Sequence, residues 1–205
     1  MKLFFMPGAC SMASNIALRE AGIPFTLAKV DKRTHMVDGV DFTTISPKGY
    51  VPTLQLDDGK VLTENVVVLQ YIADLNPAAK LAPPGGTFER YRLLEWLSFI
   101  NSELHKSFSP LFSPEASAET KTYARNYLAK RLRYVENVLG DRPFLTGDHF
   151  TIADAYLFTV LGWGALVQVD IGPKLKGYWE KIRARPHVIE AMTSEGLIKN
   201  TPATA

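Results

Sequence analysis

The chain has 205 residues, 46% of them hydrophobic, enough for one large domain or two small ones with real cores. Lysine and arginine total 23 against 21 aspartates and glutamates, a net charge of +2 that is too balanced for a polyanion binder working by counterion release, so nucleic acid is not an expected partner. The single cysteine excludes an internal disulfide, and the opening MKLFFMPGACS, broken at Pro7, fails as a signal peptide, so the expected compartment is the reducing cytoplasm.

In chain order, Lys2 to Met6 reads as a short buried strand and Pro7-Gly8 as a breaker. Ser11 to Glu20 reads as a helix with Ala13, Ile16, Ala17 and Ala21 on one face, stopped by Gly22. Phe25 to Val30 completes a β-α-β unit with parallel strands. Residues 31–49 are weakly patterned and read as loop with at most a short helix. Val51 to Leu56, Asp57-Asp58-Gly59 and Lys60 to Leu62 form a β-hairpin, since Asp-Gly supplies positive φ angles. Thr63-Glu64-Asn65 leads into an apolar helix over Val66 to Leu75, giving β-α-β followed by β-β-α. The Pro- and Gly-rich stretch from Asn76 to Thr87 reads as a linker, and the pattern beyond it is helical, with one stripe at Leu93, Leu97, Ile100 and Leu104 and an amphipathic segment over Tyr123 to Leu139. Thr151 and Asp154 have the spacing of a capping box. The apolar run from Ala155 to Val169 is interrupted by Thr159, Gly162, Gly164 and Gln168 and falls short of the ~18 residues of a spanning helix, so no membrane association is expected.

Several groups invite chemistry. Cys10 stands at a strand-to-helix junction, where unpaired N–H groups and the helix dipole favour a thiolate; Ala13 occupies the place of a CxxC partner, which excludes dithiol chemistry. A reactive monothiol, a site for a bound thiol and a small buried hydrophobe all fit Cys10. Pro52 has no N–H for a sheet ladder, so it belongs at an edge or first position, leaving the backbone of Val51 to pair with an extended peptide or simply ending the preceding loop. Glu64 and Asn65 at a helix start suit the amine and carboxylate of an amino-acid head, or ordinary capping. Ser98, Ser102 and His105 fall at i, i+4 and i+7 on one helix face, either lining a cleft or solvated. His35, His149 and His187 show no metal-ligand spacing with Cys10 or each other, and no metal site is expected.

Taken together, PGACS after the first strand, GYVPTL, DDGKVLTEN before a helix, the Pro-rich linker, ELHKSFSPLF and FTIADAYLF resemble a cytosolic glutathione S-transferase, most of all the bacterial beta class, over essentially the whole chain. The resemblance implies an α/β thioredoxin-like domain over residues 1–78, a linker over 79–86 and an all-α domain over 87–205. It implies a cytoplasmic homodimer with glutathione as cosubstrate and small hydrophobic electrophiles as acceptors. Residue by residue it implies that Cys10, with Ser11 beside it, lies next to the glutathione sulfur, that Val51 before a cis Pro52 pairs with the cysteinyl part, and that Glu64 and Asn65 hold the γ-glutamyl end. His35 stands where related sequences often have a lysine for the glycyl carboxylate. Ser98, Ser102, Glu103 and His105 fall in the region that lines the cleft from the helical domain, with His105 and Cys10 as the catalytic partners of the sulfur. Asn65 and Ser98 replace residues more usual in the motif. Thr151 and Asp154 match a capping box whose role is stability. Three functions fit: conjugation of the glutathione thiolate to an electrophile, thiol exchange or reductive dehalogenation through Cys10 itself, and non-catalytic carriage of hydrophobic ligands.

Overall fold

The computed structural model describes residues 1–199. They fall into two compact units, one made of residues 1–79 with the segment from Arg183 on, the other of residues 80–182. The sequence grouped that last segment with the helices.

In the first unit, Lys2–Phe5 (β1), Ser11–Glu20 (α1), Thr26–Lys29 (β2), Thr53–Gln55 (β5), Val61–Thr63 (β6) and Asn65–Leu75 (α2) follow the expected order, with a small additional pair, Met36–Val37 (β3) and Val40–Asp41 (β4). The main sheet runs β2-β1-β5-β6, with β1 parallel to β2 and antiparallel to β5. Strand alternation puts Phe4 on one face, where it packs 5.5 Å from the Phe42 ring in a cluster with Ala28, Val30 and Val37, and Val51 rests against this cluster. Helix α1 ends as Gly22 predicts: Gly22 takes φ +64°, its N–H donates to Arg19 O and that of Ile23 to Leu18 O, a Schellman stop. Pro186–Ser194 (α8) belongs to this unit and packs on α1.

Two turns differ from the sequence reading. At Asp57-Asp58-Gly59 only Gly59 has a positive φ, because the loop is three residues long and closes through Leu56 N–H to Lys60 O at 2.8 Å. The stretch read as loop holds a tight hairpin, β3–β4, whose corner residues Asp38 (φ +50°) and Gly39 (φ +81°) both adopt the left-handed geometry that Asp-Gly favours, followed by a 3₁₀ turn at Phe42–Thr44.

The second unit is helical: Phe88–Phe99 (α3), Lys106–Phe112 (α4), Ala118–Leu139 (α5), Ile152–Leu166 (α6) and Pro173–Arg183 (α7), the last ending at the border of the unit. Leu93, Leu97, Ile100 and Leu104 are fully buried, as their spacing predicts, and so is Phe108 one turn further on. Ile152 to Leu161 of α6 are buried without a break, the mark of a helix enclosed on every side. Part of the expected linker is tied down: Leu81 is buried and its carbonyl accepts the N–H of Ile152 at 3.0 Å. Thr87 caps α3 through Arg90 N–H.

Between α3 and α4, Ile100–His105 is a π-helix. Each i→i+5 turn carries one residue more than an α turn, so side chains beyond it are rotated by about 100° from the α line. The straight stripe expected for Ser98, Ser102 and His105 is corrected accordingly: Ser98 and Ser102 are exposed while His105 is turned inward and half-buried. No helix among the described residues is long and apolar enough to cross a membrane.

Candidate functional site

In the first unit Cys10, Ser11, Val51 and Asn65 lie along the first turns of α1. Cys10 is the N-cap of α1, partly exposed, and its Sγ–H donates to the Val51 carbonyl at 3.1 Å. The Val51–Pro52 peptide is cis, and Pro52 is buried immediately before β5, a first position in a central strand rather than an edge. The sequence left both backbone groups of Val51 for a ligand. Its carbonyl already accepts the thiol and keeps a second lone pair, while its N–H makes no bond among the described residues. Ser11 is fully buried, its hydroxyl 3.4 Å from both N and O of Met6, so the group it retains for a ligand is its backbone.

One turn further along α1, Ser14 Oγ donates to Asn65 Oδ1 at 3.0 Å, which fixes the Asn65 amide at the first residue of α2. The other end of that amide, Nδ2, is a buried donor without a partner among the described residues. Glu64, before it, takes φ +70°, a left-handed conformation that costs a non-glycine residue free energy and that clusters at ligand sites. The ordinary-capping alternative fails here, because the Glu64 side chain makes no cap bond; its carboxylate meets Lys48 Nζ at 2.6 Å instead. Both partners are half exposed, so this pair contributes at most about 1 kcal/mol and exchanges readily for another cation. His35 is exposed, at φ +57°, beside Gly49; no bond joins it to Cys10, Val51, Glu64 or Asn65 among the described residues.

Behind the Cys10 loop stands a residue that sequence spacing does not reveal. Glu195, at the C-cap of α8 and 187 positions from Gly8, accepts the Gly8 N–H on Oε2 at 2.9 Å and Asn15 Nδ2 on Oε1 at 3.0 Å. Burial raises its carboxyl pKa from 4.5 to about 7, against the lowering effects of Asn15, Gly8 and Arg19. Lys48, Ser14 and Glu195 are all long-range partners, which no local spacing reveals.

In the second unit, His105 Nδ1 lies 2.6 Å from Tyr156 Oη, and its ring stacks edge-on against Trp163 at 4.8 Å. Burial, then the charge of Lys106, lowers the imidazole pKa to about 4, so the ring is neutral near pH 7. Trp163 also packs against Phe108 and Phe112, a cluster of aromatic faces partly open at Phe112. Glu103 is committed within its unit: Arg131 Nε pairs with Oε2 at 2.8 Å and Tyr127 Oη donates to the same oxygen. Ser102 Oγ donates to Ser98 O at 3.0 Å. The capping box forms, and Asp154 is buried under four donors. Among the described residues no three His, Cys, Asp or Glu side chains are grouped to hold a metal ion.

A thioredoxin-like domain with a thiol at its first helix and a cis-proline opening a central strand, followed by a helical domain, is the architecture of the glutathione transferase class. Family models described as glutathione S-transferase, N-terminal domain and C-terminal domain match residues 8–75 and 99–186. Glutathione S-transferase GstA of Escherichia coli O157:H7 is 46% identical over 96% of this chain and all of its own. A sphingomonad glutathione S-transferase solved in complex with glutathione is 48% identical with a TM-score of 0.93, covering 97% of this chain and 100% of its own. A beta-class enzyme from Sphingomonas chungbukensis matches at 49% identity, with the same TM-score and coverage. The chain belongs to the glutathione S-transferase family, with beta-class enzymes among its relatives, and is a transferase that conjugates glutathione.

Proposed function

We propose that the first unit holds glutathione as an extended peptide, its cysteinyl backbone paired with Val51 and its γ-glutamyl end at Glu64, Asn65 and the N-terminus of α2, with His35 toward the glycyl end and Ser11 offering its backbone. The observation that carries this reading is the Cys10 Sγ to Val51 O distance of 3.1 Å. A peptide paired with Val51 through its cysteine then brings a second sulfur beside Cys10 at the start of a helix, where negative charge is favoured. The α2 N-terminus and the unpartnered Asn65 Nδ2 suit a carboxylate, and Glu64, released from Lys48, suits an ammonium.

From the helical domain, His105, Ser98, Ser102 and Glu103 are the proposed second set, and the aromatic faces of Phe108, Phe112 and Trp163 suit a hydrophobic electrophile. The bound thiolate attacks the electrophilic carbon, and catalysis is positioning plus anion stabilisation. The working form is a cytoplasmic homodimer, acting without a metal.

The partly exposed Cys10 thiol favours a second reading, in which the Cys10 thiolate itself attacks the electrophile and expels its leaving group, and the glutathione thiolate then displaces Cys10 from the covalent intermediate. Glutathione consumption with 1-chloro-2,4-dinitrobenzene, compared between wild type and Cys10→Ala at equal folded concentration, separates the two. Conjugation by the bound thiolate predicts that the variant keeps most of the rate. Collapse of the rate with glutathione binding intact moves Cys10 into the covalent role, and no turnover by either protein with any aryl halide or epoxide refutes the transferase site.

A further inference from the structure

We propose that Tyr156 is a positioning residue that fixes the tautomer of His105, placing the proton on Nδ1 and leaving Nε2 as an acceptor. The assignment rests on how few protons the cluster holds. Tyr156 Oη lies between two partners, 3.0 Å from Asn101 Oδ1, to which it donates, and 2.6 Å from His105 Nδ1. A phenol has one proton; once it is given to the amide oxygen, the only hydrogen bond left to make with the imidazole is N–H to Oη. Nδ1 therefore carries the hydrogen, and in a neutral imidazole Nε2 then carries the lone pair.

The surrounding structure enforces this arrangement. Tyr156 is fully buried in α6, where an unmet phenol is costly, so its two bonds are retained. Asn101 and His105 are four positions apart on the same π-helical turn, and this geometry lets both reach one oxygen. The Trp163 ring, edge-on at 4.8 Å, opposes rotation of the imidazole that would exchange its nitrogens. Of the charges near the ring, Lys106 favours the neutral form, and Glu103 on the same turn is engaged by Arg131 and Tyr127 of α5.

The consequence deepens the proposed transferase site and rests on that reading. A neutral His105 cannot donate from Nε2 to a thiolate; it accepts the proton of a thiol. As the S–H bond breaks, its electron pair stays on sulfur and the proton moves to Nε2. The resulting imidazolium keeps Nδ1–H on Tyr156 and offers Nε2–H back to the anion. His105 thus acts as acceptor first and donor second, and Tyr156 sets that order without touching the substrate.

Nitrogen-15 NMR of the histidine side chains in the full-length protein tests the proposal without any activity measurement. The His105 signals are assigned by their loss in His105→Gln, against the other three histidines. Near pH 7, wild type should show Nδ1 with a protonated, pyrrole-type shift and Nε2 with an unprotonated, pyridine-type shift. The reverse pattern, or a double-protonated ring, overturns the assignment with no variant of Tyr156 required. Tyr156→Phe, checked for folding by circular dichroism, should lose this preference and shift the ring toward Nε2–H. Its kcat with 1-chloro-2,4-dinitrobenzene should fall about tenfold or more, with the KM for glutathione within about twofold. An unchanged tautomer or an unchanged kcat in that variant refutes the positioning role. Wild type with the expected tautomer but no conjugating activity would instead refute the transferase site and leave the tautomer assignment standing.

Discussion

Replacing Asp154 by Asn changes one atom of a fully buried side chain and should unfold the helical domain far more easily. Asp154 Oδ2 accepts both the N–H and the hydroxyl of Thr151 at 2.8 Å, while Oδ1 accepts the Leu145 N–H at 2.8 Å and the Tyr178 hydroxyl at 2.6 Å. An amide must turn its NH₂ toward one of these pairs. Either way a buried backbone N–H, that of Thr151 or Leu145, is left facing a donor. Leaving one such group unmet costs about 1–3 kcal/mol, and the surviving bonds lose the strength that a charged acceptor lends. The total comes to about 3–5 kcal/mol, comparable to breaking a buried charged network. Thr151→Val removes only the hydroxyl and leaves Asp154 three donors, which should cost about 0.5–2 kcal/mol. Urea unfolding followed by circular dichroism, at one protein concentration for all variants, measures both. The reasoning fails if Asp154→Asn proves no less stable than Thr151→Val, or if its conjugating rate per folded molecule drops, since no atom of this network is assigned to chemistry.

Asn65→Ala removes the buried amide proposed to meet a ligand carboxylate, and should raise the KM for glutathione about tenfold or more with little change in kcat; an unchanged KM would sink the assignment. Glu195 holds its proton more tightly when folded, with a carboxyl pKa of about 7 against 4.5, so the folded state binds the extra proton between those values and stability falls as pH rises through that window, by roughly 3 kcal/mol. Glu195→Gln should flatten that fall in urea midpoints between pH ~4.5 and ~7.5, and a slope identical to wild type would refute it. Gly164→Ala sets a methyl 2.9 Å from both Ile171 Cγ2 and Val169 O and should cost about 1–3 kcal/mol, whereas Gly177→Ala, with open space around it in α7, should add up to about 1 kcal/mol; thermal melts that rank the two the other way contradict the packing.

Periodicity carried most of the architecture. The apolar run KLFF, the stop at Gly22 and the stripe from Leu93 to Leu104 each follow from local rules, and the observed β1–β2 pairing and the buried helix face agree with them. What escaped was of two kinds. The β3–β4 hairpin is only two residues on each side, too short to show alternation, although Asp38-Gly39 carries the same turn signal as Asp58-Gly59. The π-helical turn at Ile100–His105 leaves no mark in composition, so regular spacing puts His105 on an α-helical line it does not follow. The residue types around Cys10, Val51 and Asn65 were legible because helix starts and proline have strong local meaning. Lys48, Glu195 and Tyr156, which hold Glu64, the Cys10 loop and His105, were not: hydrogen bonds between residues far apart in the chain obey no spacing rule.

The packing of α8 on α1 has a bearing on the order in which the protein is made. The loop carrying Cys10 emerges from the ribosome well before the carboxylate that anchors Gly8, which lies 187 positions later in the chain. Until that segment returns, α1 lacks one of its packing partners. The first unit is therefore a ring closed by its two ends, with the helical unit inserted between them, and a fragment cut after residue 79 would carry the thiol on a loop without its anchor.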